Sequence, residues 1–157
     1  AAEVSFDIES MSELARLEVY THSRRDGQVY QMASVQLVLL EEGRKLIHAA
    51  LDGPEKLAVF SPRPDDVIEG GTVLVSGAGW VDHDVPLTVE IHDRLGDPIA
   101  STSVDLISHG PGQTGIFSVE VPYSVEVSQP GRIVVYEPAV DIPGIVHLTG
   151  IDVWIKP

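Results

Sequence analysis

Residues 85–93 read VPLTVEIHD and alternate between apolar and polar side chains. The apolar positions are Val85, Leu87, Val89 and Ile91, and the polar positions are Thr88, Glu90 and His92. A period of two is typical of a β-strand that buries one face and leaves the other in water. The stretch therefore predicts a half-buried strand and favours an all-β fold around it.

Similar patterns recur on both sides of this strand, separated by turns rich in glycine and proline. They are KLAVF (56–60), TVLVSG (72–77), IASTSVDLI (99–107), IFSVEVPY (116–123), RIVVYE (132–137) and IVHLTGIDVWI (145–155). Short strands at this spacing predict an immunoglobulin-like, two-sheet antiparallel sandwich. The apolar phase changes within the last stretch at Gly150, which predicts a β-bulge there.

The chain divides into two compositional parts, residues 1–53 and 54–157. All 11 prolines lie at or after Pro54. Residues 1–53 carry 9 acidic and 5 basic side chains, and residues 54–157 carry 15 and 5. Gly53-Pro54 marks the joint between them. The first part is too short to be stable alone, so we expect a β-rich segment that packs on the sandwich or on a partner.

Within the first part, EVSFDIE (3–9) alternates and predicts a strand with Val4, Phe6 and Ile8 inward. LARLEVYTH (14–22) fits either a strand or a short helix. HSRRDGQ (22–28) predicts a hairpin turn around Asp26-Gly27. Two further apolar stretches follow, YQMASVQLVLL (30–40) and LIHAAL (46–51).

The composition excludes several function classes. The formal net charge is −14, from 24 acidic and 10 basic side chains, which disfavours nucleic acid and anionic membrane surfaces as partners. No apolar run is long enough to cross a membrane as a helix, so no membrane insertion is expected. The chain has no cysteine, which excludes disulfides, zinc–thiolate sites and thiol catalysis. The stretch AAEVSFDIES (1–10) lacks the pattern of a secretory signal, so we expect no signal peptide in this chain.

No catalytic or cofactor motif emerges. Glu137 precedes Pro138 at the end of a strand pattern and has no evident titratable partner, which favours a structural carboxylate. The six histidines form no HxH or HExxH pair. SGAGW (76–80) matches neither GxSxG nor GxGxxG. We therefore predict no enzyme, no cofactor and no metal site.

Calcium is the one metal left open. Asp82, Asp84, Asp93 and Asp97 lie in two loops that flank one strand. A strand of nine residues spans roughly 30 Å, so the two loops cannot share an ion.

Two tryptophans and two loops are the candidate contact residues. Trp154 should lie on the outer face of the last strand, beneath a cover of residues 1–53 or free for a ligand. Trp80 is expected either to fill the end of the sandwich core or to offer a surface on which a sugar ring stacks. The loop residues are Asp82, His83 and Asp84 in WVDHDV (80–85) and His109 in SHGPGQTG (108–115).

Five stretches resemble a known family. They are FSPRPDDVIEGGTVLVSGAGW (60–80), VEIHDRLGDPIAS (89–101), GIFSVEVPY (115–123), GRIVVYEPAVDIPG (131–144) and IDVWI (151–155). Their order is similar to that of the immunoglobulin-like domain of bacterial spore-germination proteins, often called Gmad2, over roughly residues 57–157. The resemblance implies a secreted or surface-attached bacterial protein and no catalytic residues, because none define the family. Residues 1–53 do not match it.

The expected function is a non-catalytic extracellular or cell-envelope module for binding or spacing, with an association with sporulation or germination. A carbohydrate-binding module is the alternative. Expected partners are a protein, a cell-wall polymer, or a second copy of the chain through residues 1–53 or an edge strand.

Overall fold

A computed structural model describes residues 4–40, 56–80, 85–108 and 113–157, and all regular elements within them are β-strands. The strands are β1 (Ser12–His22), β2 (Val29–Leu40), β3 (Leu57–Ser61), β4 (Val67–Ile68), β5 (Thr72–Gly79), β6 (Leu87–His92), β7 (Pro98–Val104), β8 (Gly115–Pro122), β9 (Gln129–Pro138) and β10 (Ile145–Ile155). The predicted all-β fold is confirmed. Each predicted strand pattern from position 56 onward contributes one of these strands.

The strands form two sheets. The large sheet has the order β1-β2-β10-β9-β6-β7, and β4 adds to it by parallel pairing with the end of β10. The small sheet has the order β3-β5-β8. All neighbours in these two orders are antiparallel. The predicted two-sheet sandwich is thus confirmed, with seven and three strands in its layers.

The core lies between the small sheet and the facing strands of the large one. From the large sheet come Leu87, Val89, Ile91, Ile133, Val135, Ile151, Val153 and Ile155. From the small sheet and its flanks come Leu57, Val73, Val75, Phe117, Val121 and Tyr123. These are the apolar positions of the alternating patterns. Burying each one contributes about 1.5–3 kcal/mol.

Gly77 allows β5 to pass close to its neighbours. A Cβ at this position would collide with the carbonyl oxygen of Ala58 and with the ring of Phe117. The glycine of the SGAGW stretch therefore serves packing inside the small sheet.

The β-bulge predicted at Gly150 is wrong. Pairing with β9 runs unbroken through Gly150, and the register shift falls between Ile145 and His147. The apolar residues of β10 stop alternating regularly in the sequence because the middle of the strand is buried on both faces. A Cβ at Gly150 would lie 3.0 Å from Cδ of Arg132 and 3.1 Å from the carbonyl oxygen of Tyr30. The glycine makes room for two neighbouring residues rather than for an extra residue in the strand.

The hairpin in the first part of the chain is confirmed. Its turn is closed by the Ser23 N–H, which donates to the Gln28 carbonyl at 2.8 Å, and Gly27 has the positive φ of +73° that such turns favour. The helix alternative for residues 14–22 is wrong, because these residues pair with β2 along their length.

The strand predicted for residues 3–9 is wrong as well. Val4 and Phe6 are exposed, and residues 4–8 are not in a strand. Alternation alone does not provide a partner, and no described strand pairs with this segment. The side chain of Glu13 instead accepts the N–H groups of Glu9 at 2.5 Å and Ser10 at 3.0 Å. The stretch at 46–51 lies outside the described residues.

We call β1 and β2 together the ribbon, because they extend the large sheet past the small one. Only a short part of β2 near its start pairs with β10, from Gln31 opposite Thr149 to Ala33 opposite His147. The small sheet ends at β3. We call the core-facing side of the large sheet its inner face and the opposite side its outer face.

Candidate functional site

Two of the six predicted contact residues, Trp80 and Trp154, lie in the part of the chain that the structure describes. The other four, Asp82, His83, Asp84 and His109, lie outside the described residues. The candidate site is therefore built from the two tryptophans and their surroundings.

Trp154 lies near the end of β10 with its indole on the outer face, 44% exposed. Its neighbours Val153 and Ile155 are buried in the core, as the alternation predicts. The indole borders a shallow groove of about 400 Å³, which is also lined by Arg25, Asp65, Pro130, Asp152 and Val153. Residues 1–53 thus contribute Arg25 to the rim of the groove, while the indole keeps nearly half of its surface in water.

The turn before β4 places Asp65 in this groove. The Asp65 N–H donates to the Asp152 carbonyl at 2.8 Å, and the Trp154 N–H donates to the Asp66 carbonyl at 2.8 Å. Asp66 also accepts the Arg63 N–H on its side chain at 2.8 Å. Asp65 has a φ of +68°, a conformation that aspartate tolerates better than most residues. The SPRPDD stretch therefore both ends β3 and builds one wall of the groove.

An ion cluster fixes the opposite wall. Arg132 is fully buried, and its Nη2 lies 3.0 Å from Oδ2 of Asp26 while its Nε lies 3.2 Å from Oδ1 of Asp152. Arg25 donates from Nη1 to the Gly131 carbonyl at 2.6 Å and lies 3.6 Å from the Asp152 carboxylate. The cluster therefore connects the hairpin turn to β9 and β10, and it holds Arg25 and Asp152 beside the indole.

The charges in the cluster shift two pKa values. Burial alone would raise the pKa of Asp26, but the N–H of Gln28 and the guanidinium groups of Arg25 and Arg132 outweigh it and lower the pKa to about 2. Burial and the nearby Asp152 carboxylate raise the pKa of Tyr30 above its ordinary value. Asp26 therefore stays ionised, and Tyr30 stays neutral, at physiological pH.

The groove combines the flat apolar surface of the Trp154 indole with polar groups whose positions are fixed. The indole offers a large surface with a polar N–H. Asp152 and Asp65 offer carboxylate acceptors, and Arg25 offers donors. Such a set can bind a ligand that has one apolar face and several hydroxyl or amide groups. Arg25, Asp65 and Asp152 have no sequence signal of their own, because the chain brings them together from three distant segments.

Trp80 lies at the end of β5 and is half-buried. Its backbone N–H donates to the Lys56 carbonyl at 2.7 Å, and Nζ of Lys56 lies 2.8 Å from the centre of the indole ring. This contact is a cation–π interaction. One face of the ring is therefore occupied by Lys56, which leaves less of Trp80 for a sugar than of Trp154.

Glu137 has a titratable neighbour that the sequence did not reveal. It pairs directly with His147 across β9 and β10, and the two side chains share the inner face. Glu137 is fully buried and His147 is 2% exposed. The sequence offers no evident partner for Glu137, and the strand register supplies one. The pair is closed to water, however, which favours the structural role expected of Glu137.

A second titratable cluster lies on the outer face of β6 and β9. The Tyr136 hydroxyl donates to Oε1 of Glu90 at 3.1 Å, and Nε2 of His92 lies 2.8 Å from Oε2 of the same carboxylate. Burial and this carboxylate raise the pKa of Tyr136. Both oxygens of Glu90 are engaged within the protein, so the cluster ties two strands together.

Among the described side chains, no group of three or more histidine and carboxylate residues is arranged to hold a metal ion. In the loop considered for calcium, Oδ1 of Asp93 accepts the N–H groups of Leu95 at 2.8 Å and Asp97 at 3.0 Å.

Residues 4–40, 56–80, 85–108 and 113–157 include no helix with the length and hydropathy of a membrane span.

Comparison with protein-family models and with curated proteins found no match for this chain.

Proposed function

We propose that this chain is a non-catalytic binding and spacing module of the bacterial cell envelope, and that the groove beside Trp154 is its ligand site. The observation that supports the proposal is the half-exposed indole that lines one groove together with Arg25 and Asp152. Tryptophan is enriched where proteins contact partners and ligands, because its indole offers a large, rigid surface with a polar N–H. The ion cluster behind it keeps the site rigid, so little conformational entropy is lost when a ligand binds.

The envelope setting follows from the resemblance of residues 57–157 to the Gmad2-like domain, which also suggests a link to sporulation or germination. The charge of −14 favours ligands that are neutral or basic over anionic polymers. A cell-wall polymer or a basic envelope protein fits these requirements.

A carbohydrate-binding module is the second candidate, and one observation favours it. Asp65 and Asp152 line the same groove as the indole, so carboxylates lie close to an aromatic surface. The apolar C–H face of a sugar ring can pack on the indole while its hydroxyls donate to the carboxylates.

Co-sedimentation with purified bacterial sacculi tests the proposed function. We expect the wild-type chain to bind and Trp154→Ala to bind at least tenfold more weakly, with an unchanged melting temperature. Leu74→Ala is the matched control, because Leu74 is also apolar and exposed but lies on the small sheet. Equal binding by wild type and Trp154→Ala would contradict the assignment of the groove.

A glycan array that contains envelope and plant polysaccharides separates the two candidates. Binding of a neutral glycan that is lost in both Trp154→Ala and Asp152→Asn supports the carbohydrate-binding module. If the chain binds sacculi but binds no glycan on the array, the ligand is a non-glycan component of the envelope.

A further inference from the structure

A second hollow borders the groove beside Trp154, at the turn between β1 and β2. We call it the basic hollow. It has a volume of about 550 Å³ and is lined by His22, Ser23, Arg24, Arg25, Tyr30 and Asp152. Arg25 and Asp152 also line the groove. Because the two depressions share these side chains, a ligand larger than one sugar ring can contact both.

The charges in and behind the wall of the basic hollow do not balance. Asp26 lies 3.0 Å from a guanidinium nitrogen of Arg25 and 3.0 Å from one of Arg132. Asp152 lies 3.2 Å from Arg132 and 3.6 Å from Arg25. Two carboxylates thus face two guanidinium groups, and their charges cancel. Arg24 adds a further positive charge, so the hollow is locally positive on a chain whose net charge is −14.

Arg24 carries the charge that remains unbalanced. Its side chain is exposed and forms no hydrogen bond or ion pair within the described part of the chain. Other groups hold the turn together, since the Ser23 N–H donates to the Gln28 carbonyl at 2.8 Å and the Arg25 N–H donates to Oγ of Ser23 at 3.1 Å. The guanidinium of Arg24 is therefore not needed to close the turn, and its N–H donors remain for a ligand.

Tyr30 adds a neutral donor to the same hollow. Burial and the Asp152 carboxylate raise the pKa of Tyr30, so its hydroxyl keeps its proton. The guanidinium carbon of Arg132 lies 5.2 Å from the centre of the Tyr30 ring, which holds the ring in place. A fixed hydroxyl beside a free guanidinium is a donor set that suits an oxygen with a negative charge.

We propose that the basic hollow binds one anionic group, a carboxylate or a phosphate, of the ligand that packs on Trp154. The proposal rests on the proposed function, because it assigns a second contact to the same ligand. Arg24 then selects an acidic ligand over its neutral analogue, since the planar guanidinium matches two oxygens of either group. The net charge of −14 still opposes a ligand with many anionic groups. The hollow therefore suits a single acidic group on an otherwise neutral ligand.

Titration of the ¹⁵N-labelled full chain with inorganic phosphate, followed by NMR, tests the hollow by itself. We expect the Nε–H signal of Arg24 and the backbone amide signal of Tyr30 to shift and saturate. Arg24→Gln should weaken phosphate binding about tenfold, measured at the Tyr30 amide, because one charge-assisted contact is lost.

Arg94→Gln is the matched control for the loss of one positive charge. Arg94 is also exposed and without a hydrogen bond or ion pair among the described residues. It lies at the same end of the large sheet, because the nearby His92 pairs with Arg132, but it lines neither the groove nor the basic hollow. We expect Arg94→Gln to bind phosphate as the wild type does.

Three sugars with one ring in common test whether the two depressions act on one ligand. Glucose, glucose 6-phosphate and glucuronic acid are titrated separately, and the indole N–H signal of Trp154 reports binding. We expect at least one acidic sugar to bind about tenfold more tightly than glucose, and Arg24→Gln to lose that preference without a change in its affinity for glucose. The sugar that gains affinity identifies the acidic group as a phosphate or a carboxylate.

Three results would overturn the proposal. They are a phosphate titration with no saturating shift at Arg24, equal weakening in Arg24→Gln and Arg94→Gln, and equal affinity of the wild type for glucose and both acidic sugars. The proposed function fails on a different result, equal binding of sacculi by the wild type and Trp154→Ala. Phosphate binding at Arg24 is measured without sacculi, so the two failures are distinguishable.

Discussion

Arg132 and Asp26 form a buried ion pair although 106 residues separate them in sequence. Nη2 of Arg132 lies 3.0 Å from Oδ2 of Asp26, and both side chains are almost entirely removed from water. The pair fastens the hairpin turn to the outer face of the large sheet. It also sets the position of Arg25, which lines the groove beside Trp154.

Asp26→Asn is expected to destabilise the fold. The substitution removes the negative charge that faces a fully buried guanidinium, and among the described residues it leaves Arg132 with the partly exposed Asp152 as its acidic partner. We expect a loss of about 2–4 kcal/mol in the free energy of unfolding, measured with urea. Asp7→Asn, at an exposed position, is the control and should change little. A loss no larger than that of the control would show that the pair does not stabilise the hairpin.

The stability of the chain should fall in acid because of Asp26. Its pKa is about 2 in the folded state, against an ordinary value of 3.8, so the folded state binds this proton less readily than the unfolded chain. Stability from this group is present above about pH 4 and disappears as the pH falls toward 2, and it amounts to about 2 kcal/mol. Urea unfolding between pH 6 and pH 2 measures it. Asp26→Asn should remove this part of the pH dependence; an identical profile in the variant would contradict the assignment.

Gly77→Ala should destabilise the small sheet. The added methyl group would meet the Ala58 carbonyl and the ring of Phe117, and the backbone of β3 cannot move away without losing its pairing. Overpacking of this kind costs about 1–3 kcal/mol. Thermal unfolding should show a lower midpoint than for Ser118→Ala, which changes an exposed side chain on β8. A midpoint equal to that of the control would mean that the strands can separate easily at this point.

Much of the fold could be predicted from the sequence because one face of each sandwich strand is buried. The alternation in residues 85–93 marks Leu87, Val89 and Ile91 as core residues, and all three are fully buried. The same reasoning places Trp154 outside. It fails at residues 3–9, where the alternation is present but no described partner strand exists. It also fails at Gly150. There the strand is buried on both faces, and the resulting sequence pattern looks like the one that a β-bulge would produce.

The surroundings of the site could not be predicted, because they depend on strand register and on contacts between distant segments. Glu137 and His147 meet because β9 and β10 pair in the register that places these two residues opposite each other, and the sequence does not specify that register. Arg25 and Asp152 come together only after the hairpin joins the large sheet. Local patterns describe single strands, whereas a binding groove depends on how the strands are arranged.

The most direct test uses Trp80→Phe, in which Trp154 is the only tryptophan and its fluorescence reports on the groove alone. The variant is titrated with soluble fragments of bacterial sacculi, and binding is followed in parallel by sedimentation. We predict that the emission of Trp154 shifts to shorter wavelength with the same concentration dependence as binding, because the ligand removes water from the indole. Binding without any change in that emission would place the ligand elsewhere and contradict the assignment of the groove.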